Sequence, residues 1–549
     1  MRINVLNDYG GIAMKVVIIG GVAAGTKTGA KLKRENPEAE IVIYTKGNDI
    51  SYAGCGLPYY IGGSIEEKES LIVNTPEKFT KLTGVEVHTN SEVVLIDKEY
   101  KNIVLKNNEI VSYDKLVIAS GAEPFVPPME GVNLPGVFKV RTPHDAITTR
   151  EYIEENNCST AVVIGGGFIG LEVAENLMQK GLKVTVLDMA DQLMPNIFDK
   201  DMADYVKREL NKKGLDIILG TEVKGIKGTD RAKGVETGNG IIDADIVMMS
   251  VGIRPSTGFL KDTGIEMFKG TILTDEYHAT NIEDIYAVGD CAMVKNRITG
   301  NRQWSAMGST ANIAGRNLAI NIAGNKIPYT GCLGTGVVRL AEDLNASRTG
   351  LTQEQAEAAG YDVITATSIM NDKAHYYPDA SIFIVKVIAD KETGLLLGVQ
   401  IIGSGAVDKM ADIAVTGISL KAKVSDFTDM DFAYAPPFST AIHPFATACE
   451  ILMNKMEGKF DSFTPGEFAE GKACGYKIID ANPMPSLKGY EWFDLLKTEE
   501  EAEKYNKDEK LLLVCKRGKR GYLVQNKLKA LGFTNVKVLE GGATFNVIK

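Results

Sequence analysis

Short, wholly apolar runs that end in glycine set the pattern of this chain. Val16-Val17-Ile18-Ile19 leads into Gly20-Gly21-Val22-Ala23-Ala24-Gly25, and Ala161-Val162-Val163-Ile164 leads into Gly165-Gly166-Gly167-Phe168-Ile169-Gly170. Apolar runs without alternation predict buried strands, the glycines predict tight turns, and the residues beyond them predict helices, the first through about Arg34. A second strand follows each unit, Ile41-Val42-Ile43-Tyr44-Thr45 and Val184-Thr185-Val186-Leu187-Asp188. Further strands are expected at Asp284-Ile285-Tyr286-Ala287-Val288-Gly289-Asp290, at Ile382 to Val387, at Leu395 to Ile402, and at Leu511-Leu512-Leu513-Val514, which ends at Cys515 and precedes a helix near Gly521. The fold class is therefore α/β, with two β-α-β nucleotide units.

The second glycine turn carries a full dinucleotide fingerprint. Gly165 permits the tight turn, Gly167 admits a pyrophosphate, Gly170 lets the helix pack, and Asp188 sits where a carboxylate accepts ribose hydroxyls. Met189, Ala190 and Asp191 follow without an arginine for a 2′-phosphate, so NADH is expected over NADPH. The first turn is weaker, because Val22 replaces the middle glycine and Thr45 stands where the ribose carboxylate is usual; an ordinary tight turn remains an alternative there.

Cys55, in Ser51-Tyr52-Ala53-Gly54-Cys55-Gly56-Leu57-Pro58-Tyr59, lies just past the first unit and is expected to open a helix. A helix N-terminus lowers a thiol pKa, and flanking glycines allow close approach of a ring or a second thiol. A small buried hydrophobe is the other reading of a lone cysteine. The 549 residues suffice for about three or four domains. A formal charge of -10 without a long basic run argues against nucleic acid. The seven scattered cysteines, without a C-x-x-C pair, point to a reducing compartment and to neither a disulfide framework nor a metal site. No apolar run reaches membrane-spanning length and residues 1–13 lack a signal-peptide pattern, so a cytoplasmic protein starting at Met1 or, more naturally, at Met14 is expected.

Together these motifs resemble the pyridine nucleotide-disulfide oxidoreductases, and within them the coenzyme A disulfide reductases fused to a rhodanese-like domain. The resemblance rests also on Thr75-Pro76-Glu77-Lys78-Phe79, Gly403-Ser404-Gly405-Ala406-Val407-Asp408-Lys409 and Tyr434-Ala435-Pro436-Pro437-Phe438-Ser439. It implies two interleaved Rossmann-like domains, an α+β dimerisation domain and a small α/β rhodanese-like domain. FAD would be held by residues 14–125 and 275–325, NADH by 126–274, and a homodimer formed through 326–455; a linker at 456–470 would precede the rhodanese-like unit at 471–549. The implied FAD contacts are Gly20, Gly21, Val22, Ala23, Gly25, Thr45, Lys46, Val93, Ser120, Gly121, Arg141, Gly289 and Asp290, and Gly252 joins the NADH set. Relatives with a second nearby cysteine are excluded, since the next one here is Cys158. The second sulfur must come from elsewhere, and the resemblance implies that coenzyme A supplies it.

The same resemblance places Tyr376 and Tyr434 of a partner subunit near Cys55 as proton donors, whereas Tyr377 and His443 are read as interface packing. Lys27, Lys31 and Arg34 share one face of the first helix and, with Ser51 and Lys78, would bind coenzyme A; a solvated helix face explains their spacing equally well. Cys515-Lys516-Arg517-Gly518-Lys519-Arg520 resembles a rhodanese active loop whose amides and cations would cradle an anion. The first half of that unit fits poorly, with Asp480-Ala481-Asn482 in place of Asp-x-Arg. The expected activity is NADH-dependent reduction of coenzyme A disulfide, coenzyme A persulfide or polysulfide. Two rivals are an NADH oxidase or peroxidase, against which Ala23 replaces the histidine those enzymes carry, and a low-turnover redox-sensing sulfur carrier.

Overall fold

The computed structural model describes residues 14–548; residues 1–13, and with them the choice between Met1 and Met14 as the start, lie outside the described residues. The apolar run at Lys15–Ile19 is the middle strand of a parallel sheet ordered Ile285–Ala287, Lys115–Ile118, Lys15–Ile19, Glu40–Tyr44 and Glu86–His88. Val16, Val17 and Ile18 are fully buried because helices cover one face and a three-stranded meander, Val93–Asp97 to Ile110–Ser112, covers the other. Helix α1, Ala23–Glu35, follows the glycine turn.

The same plan recurs in the insertion. Its parallel sheet runs Asp216–Ile218, Lys183–Leu187, Thr160–Ile164, Ile246–Met249 and Val137–Phe138, with its own antiparallel meander from Val223 to Asp243. The chain returns through Ile253–Pro255, which pairs antiparallel with Ala122–Pro124. This corrects the expected boundary at 274: Leu260, Ile265 and Ile272 pack in one core with Val17 and Ile19, so residues 253–274 belong to the first sheet's domain.

A third unit is a five-stranded antiparallel sheet, Gly336–Ala341, Leu344–Gly350, Leu396–Gly403, Ile382–Asp390 and Val363–Asn371, backed by helices Val407–Ser419 and Pro444–Met456. Lys386, buried in this sheet, lies 3.0 Å from both Asp199 and Asp201 of the insertion. Burial opposes its charge, and the two carboxylates more than offset that and raise its pKa. Two domains are thereby fixed against each other.

The last unit is a fully parallel sheet ordered Ser462–Phe463, Val536–Leu539, Leu511–Val514, Lys477–Asp480 and Glu491–Trp492. Its edge strand and the helix Pro465–Ala469 occupy the stretch expected as a linker. Of the expected linker 456–470, residues from Ser462 onward are therefore corrected to the start of this domain. The poorly fitting first half is also complete: buried Asp480 accepts the amides of Asn482, Ser486 and Leu487 and shapes the turn between two strands. Glu540 docks the unit, its carboxylate bonding Lys455 and Ser462 at 2.6 Å and the Thr367 amide at 2.7 Å.

Candidate active site

The two glycine turns are built alike. Gly20 and Gly165 have φ of 113° and 114°, and a Cβ on either would lie 2.1–2.2 Å from a carbonyl of the neighbouring strand's loop. A Cβ on Gly25 or Gly170 would lie 1.9 Å from the carbonyl of Gly20 or Gly165, so the helix can approach only as glycine. Val22 occupies the helix N-cap position that Gly167 holds in the second turn, and Ala23 begins α1. Both turns stand at the carboxyl ends of their parallel strands, where α/β sheets bind ligands.

Around the first turn the chain gathers most of the residues expected to contact FAD. Ser120 and Gly121 follow the strand Lys115–Ile118; Arg141 ion-pairs with Asp290 at 3.1 Å. Gly289 turns the chain against Ala24 of α1, and Trp304 donates to the Asp290 carbonyl at 2.7 Å. The buried Ser120 hydroxyl meets only the Cys291 thiol, a weak hydrogen-bonding group, among the described residues, which fits a bound polar group at this point. Thr45 is buried, with its amide on His88 and its carbonyl on Ser91. Lys46 is exposed beside Glu123, and Val93 is buried at the start of the meander, packed in the core of Val17 and Tyr44.

At the second turn, Gly167 and Gly252 face open space, room that the expected NADH would need. The Asp188 carboxylate accepts the amides of Gly166 at 2.6 Å and Ala190 at 2.8 Å. Exposed Met189 beside it carries no charge.

Cys55 is exposed in a single 3-10 turn, Gly54–Gly56, that runs into helix α2, Leu57–Gly62. The expectation of a lowered thiol pKa is corrected here. Burial of the surroundings pushes the Cys55 thiol up, Glu172 and Asp290 push it further, and only Arg141 opposes them. All seven cysteines are free, so the chain itself offers Cys55 no disulfide partner.

Three neighbours escaped the sequence reading: Tyr59, Glu172 and Arg339. Tyr59, four residues past Cys55, lies 3.3 Å from the Glu172 carboxylate on helix α3, Phe168–Gln179. Glu175, one turn along, pairs with Arg339 at 3.2 Å. Glu172, Glu175 and Asn176 form a polar stripe at helical spacing inside an otherwise apolar stretch, a signal that was readable in the sequence.

Lys27 and Arg34 are exposed on α1, and Lys31 is ion-paired with Glu35. The helix Pro76–Thr83, with exposed Lys78, touches α1, so these cations share one surface. Ser51, at φ 48°, lies between that helix and the first turn and accepts from Asn74 at 3.5 Å. Tyr376 and Tyr434 are brought together on the exposed edge of the third unit, where their hydrogen bond holds Tyr376 above the usual phenol range. His443 is buried and caps the helix Pro444–Met456.

Cys515 is buried, and the Gly518 amide donates to its sulfur at 3.2 Å. Lys516 and Lys519 are exposed, but the expected use of both arginines as an anion cradle is corrected. Arg517 bonds Asn371 of the third unit at 2.7 Å, and Arg520 bonds the Ala481 carbonyl. Asn482, in place of the usual arginine, accepts the Lys516 amide at 2.8 Å. Among the described residues no cluster of side chains suits a metal ion, and no helix is long and apolar enough to cross a membrane.

The sequence pattern described as pyridine nucleotide-disulphide oxidoreductase matches residues 14–311, that family's dimerisation domain matches 341–446, and a rhodanese-like domain matches 461–544. An NADH oxidase of Methanocaldococcus jannaschii is 36% identical over 452 residues, covering 81% of this chain and 100% of its own. A CoA-dependent NAD(P)H sulfur oxidoreductase of Pyrococcus furiosus is 38% identical over 441 residues, 80% of this chain and 99% of its own. The solved structure of a NAD-dependent persulfide reductase from A. fulgidus superposes with a TM-score of 0.91 at 33% identity, covering 97% of this chain and 100% of that one.

Proposed function

Because the chain belongs to the pyridine nucleotide-disulphide oxidoreductase family, we propose that it uses NADH and FAD to reduce coenzyme A disulfide, coenzyme A persulfide or polysulfide at Cys55. One observation carries this reading. Cys55 is exposed beside the first glycine turn and no cysteine of the chain pairs with it, so the second thiol comes with the substrate. FAD, when bound, supplies the two-electron link between NADH and sulfur.

Residue roles follow from position. The first glycine turn, Ser120, Gly121, Arg141 and Asp290 hold FAD; Gly165, Gly167, Gly170, Gly252 and Asp188 hold NADH. The Cys55 thiolate attacks one sulfur of the incoming S–S bond. A bond forms between Cys55 and that sulfur, the original bond breaks, and the expelled thiolate or hydrosulfide takes a proton. Tyr376 and Tyr434 of a partner subunit, adjacent and exposed in each copy, are suited to donate it, which makes the active species a homodimer. Lys27, Lys31, Arg34, Lys78 and Ser51 receive the phosphates of coenzyme A. The rhodanese-like domain carries sulfane sulfur on Cys515.

Mass spectrometry of the purified, unreduced protein tests the reading. A coenzyme A adduct on Cys55 that reduction removes is expected; full turnover by Cys55→Ser without such an adduct overturns it. A several-fold better kcat/KM with NADPH than with NADH overturns the role given to Asp188.

A further inference from the structure

Between Asp188 and the helix Lys200–Lys212 the insertion carries a strap, residues 189–199, without regular secondary structure. Its middle lies on the second glycine turn. The Met194 amide donates to the Gly166 carbonyl at 3.0 Å, the Gly166 amide donates to Asp188 at 2.6 Å, and a Cβ on Gly166 would lie 2.8 Å from the Leu193 side chain. One residue of the turn is thus gripped on both sides. Met194 is fully buried at φ 48°, a left-handed conformation that a residue other than glycine keeps only where its surroundings over-determine it. The third unit supplies much of that constraint. The Asp199 amide donates to Gln400 at 2.9 Å, the Asp199 carboxylate accepts the Gln400 side chain at 2.8 Å and the Gln353 amide at 3.0 Å, and Gln355 donates to the Asn196 carbonyl at 3.0 Å. Lys386 closes the joint, buried and 3.0 Å from both Asp199 and Asp201. Leu193, Met194 and Phe198 share one core with Val338, Leu340 and Ile384 of that unit.

We propose that Lys386 is a positioning residue for the pyridine nucleotide: by pinning the strap to the third unit through Asp199, it keeps Gly166 and Asp188 in the geometry that accepts the adenosine ribose. The inference rests on Asp188 and the second glycine turn binding NADH, as proposed above, and adds to that site a residue from a domain outside the nucleotide fold. Lys386 acts only through other residues. Without its ammonium, Asp199 and Asp201 repel each other, and Arg348 is the remaining cation acting on Asp199. The strap then leaves the joint, Met194 relaxes from its left-handed conformation, and the bond to the Gly166 carbonyl is lost. Because Asp188 accepts from the amide of the same glycine, its carboxylate loses a fixed direction. A fixed carboxylate favours a free 2′-hydroxyl, which donates to it, and repels a 2′-phosphate. Loosening therefore costs the NADH pair more than the NADPH pair.

The test is equilibrium binding of NAD+ and NADP+, neither of which reduces the flavin, measured by calorimetry on the FAD-loaded protein. Lys386→Met should weaken NAD+ about tenfold and leave NADP+ within about twofold, because relief of repulsion offsets the looser turn for the phosphorylated nucleotide. The preference between the two narrows. Gln400→Leu removes both side-chain bonds to Asp199 and leaves the ion pairs; it should weaken NAD+ about threefold, and it serves if Lys386→Met does not fold. Equal weakening of both nucleotides would mean a general loosening of the insertion and, like unchanged constants in both variants, overturns the proposal. A native protein that binds NADP+ as tightly as NAD+ would instead overturn the reading of Asp188 on which the proposal rests, so the two failures are told apart before any variant is made.

Discussion

Cys55 and Cys515 both stand between a strand domain's turn and a helix, yet they are housed in opposite ways. Cys55 is exposed, no backbone amide among the described residues donates to it, and two carboxylates act on it against one guanidinium. Cys515 is 3% exposed, packed with Leu511, Leu513 and Val524, and already accepts the Gly518 amide. The first thiol thus depends on what binds beside it. The second has its anion-stabilising donor built into its own loop and is separated from solvent by packing and docking.

The sharpest way to break this contrast is to remove each sulfur. Cys55→Ser should lower NADH-dependent reduction of coenzyme A disulfide by about 10³-fold or more, as loss of a nucleophile does. Cys515→Ser should leave that activity within about twofold and slow only polysulfide-dependent NADH oxidation. Equal losses in steady-state rates with coenzyme A disulfide would show that the two sites are not separable.

Docking is the next difference. The Glu540 side chain is wholly buried and bonded to Lys455, Ser462 and the Thr367 amide. Glu540→Ala leaves half-buried Lys455 without its carboxylate and the Thr367 amide without its acceptor, and should cost about 3 kcal/mol. Its thermal unfolding should split into two transitions, and Cys515 should become alkylated faster while Cys55 does not change. A single transition at the native temperature would remove docking from the account of Cys515.

Acid and base should loosen the two sites in opposite senses. A carboxyl whose folded pKa is raised, as for Glu172, holds more protons folded than unfolded, so its contribution falls as pH rises from about 4.5 to about 7, by at most about 3 kcal/mol. Asp480 is the reverse case. Burial opposes its charge, but the amides of Ser486, Leu487 and Asn482 and the Asn482 side chain outweigh burial and lower its pKa. Its contribution is present above the ordinary carboxylate value of 3.8 and is lost as pH falls below it. Amide hydrogen exchange across α2 and across 480–487 should show opposite pH slopes, and Glu172→Gln should flatten only the first.

The two nucleotide turns were legible because their requirements are local: a strand, a left-handed glycine and a second glycine one helical turn on appear in sequence order. The boundary at 253–274 was not, because it depends on Ile253–Pro255 pairing with a strand 130 residues earlier. The polar stretch near 460 hid a two-residue strand, too short to show a period. At the active site Cys55 and its flanking residues could be read, but the bond from Tyr59 to Glu172 spans 113 residues. Sequence shows that Arg517 and Arg520 are charged but not where they point, and a loop rich in cations proved to use its arginines for docking and for the fold.

The smallest effect concerns the cations above Cys55, where the contrast between the sites can still be sharpened. The Lys31–Glu35 pair is an i,i+4 helix pair worth about 0.3–0.5 kcal/mol, so it yields readily to a phosphate that competes for the ammonium. Lys31→Ala should raise KM for coenzyme A disulfide only about threefold, and Lys31→Ala with Arg34→Ala about tenfold, while NADH oxidation by small quinones is unaffected. Both effects should shrink as salt is raised, since the cations are exposed and screened. Persulfide delivery to Cys515 should not respond to these substitutions, because none of them touches its loop; a parallel change there would mean that coenzyme A bound at α1 serves both thiols.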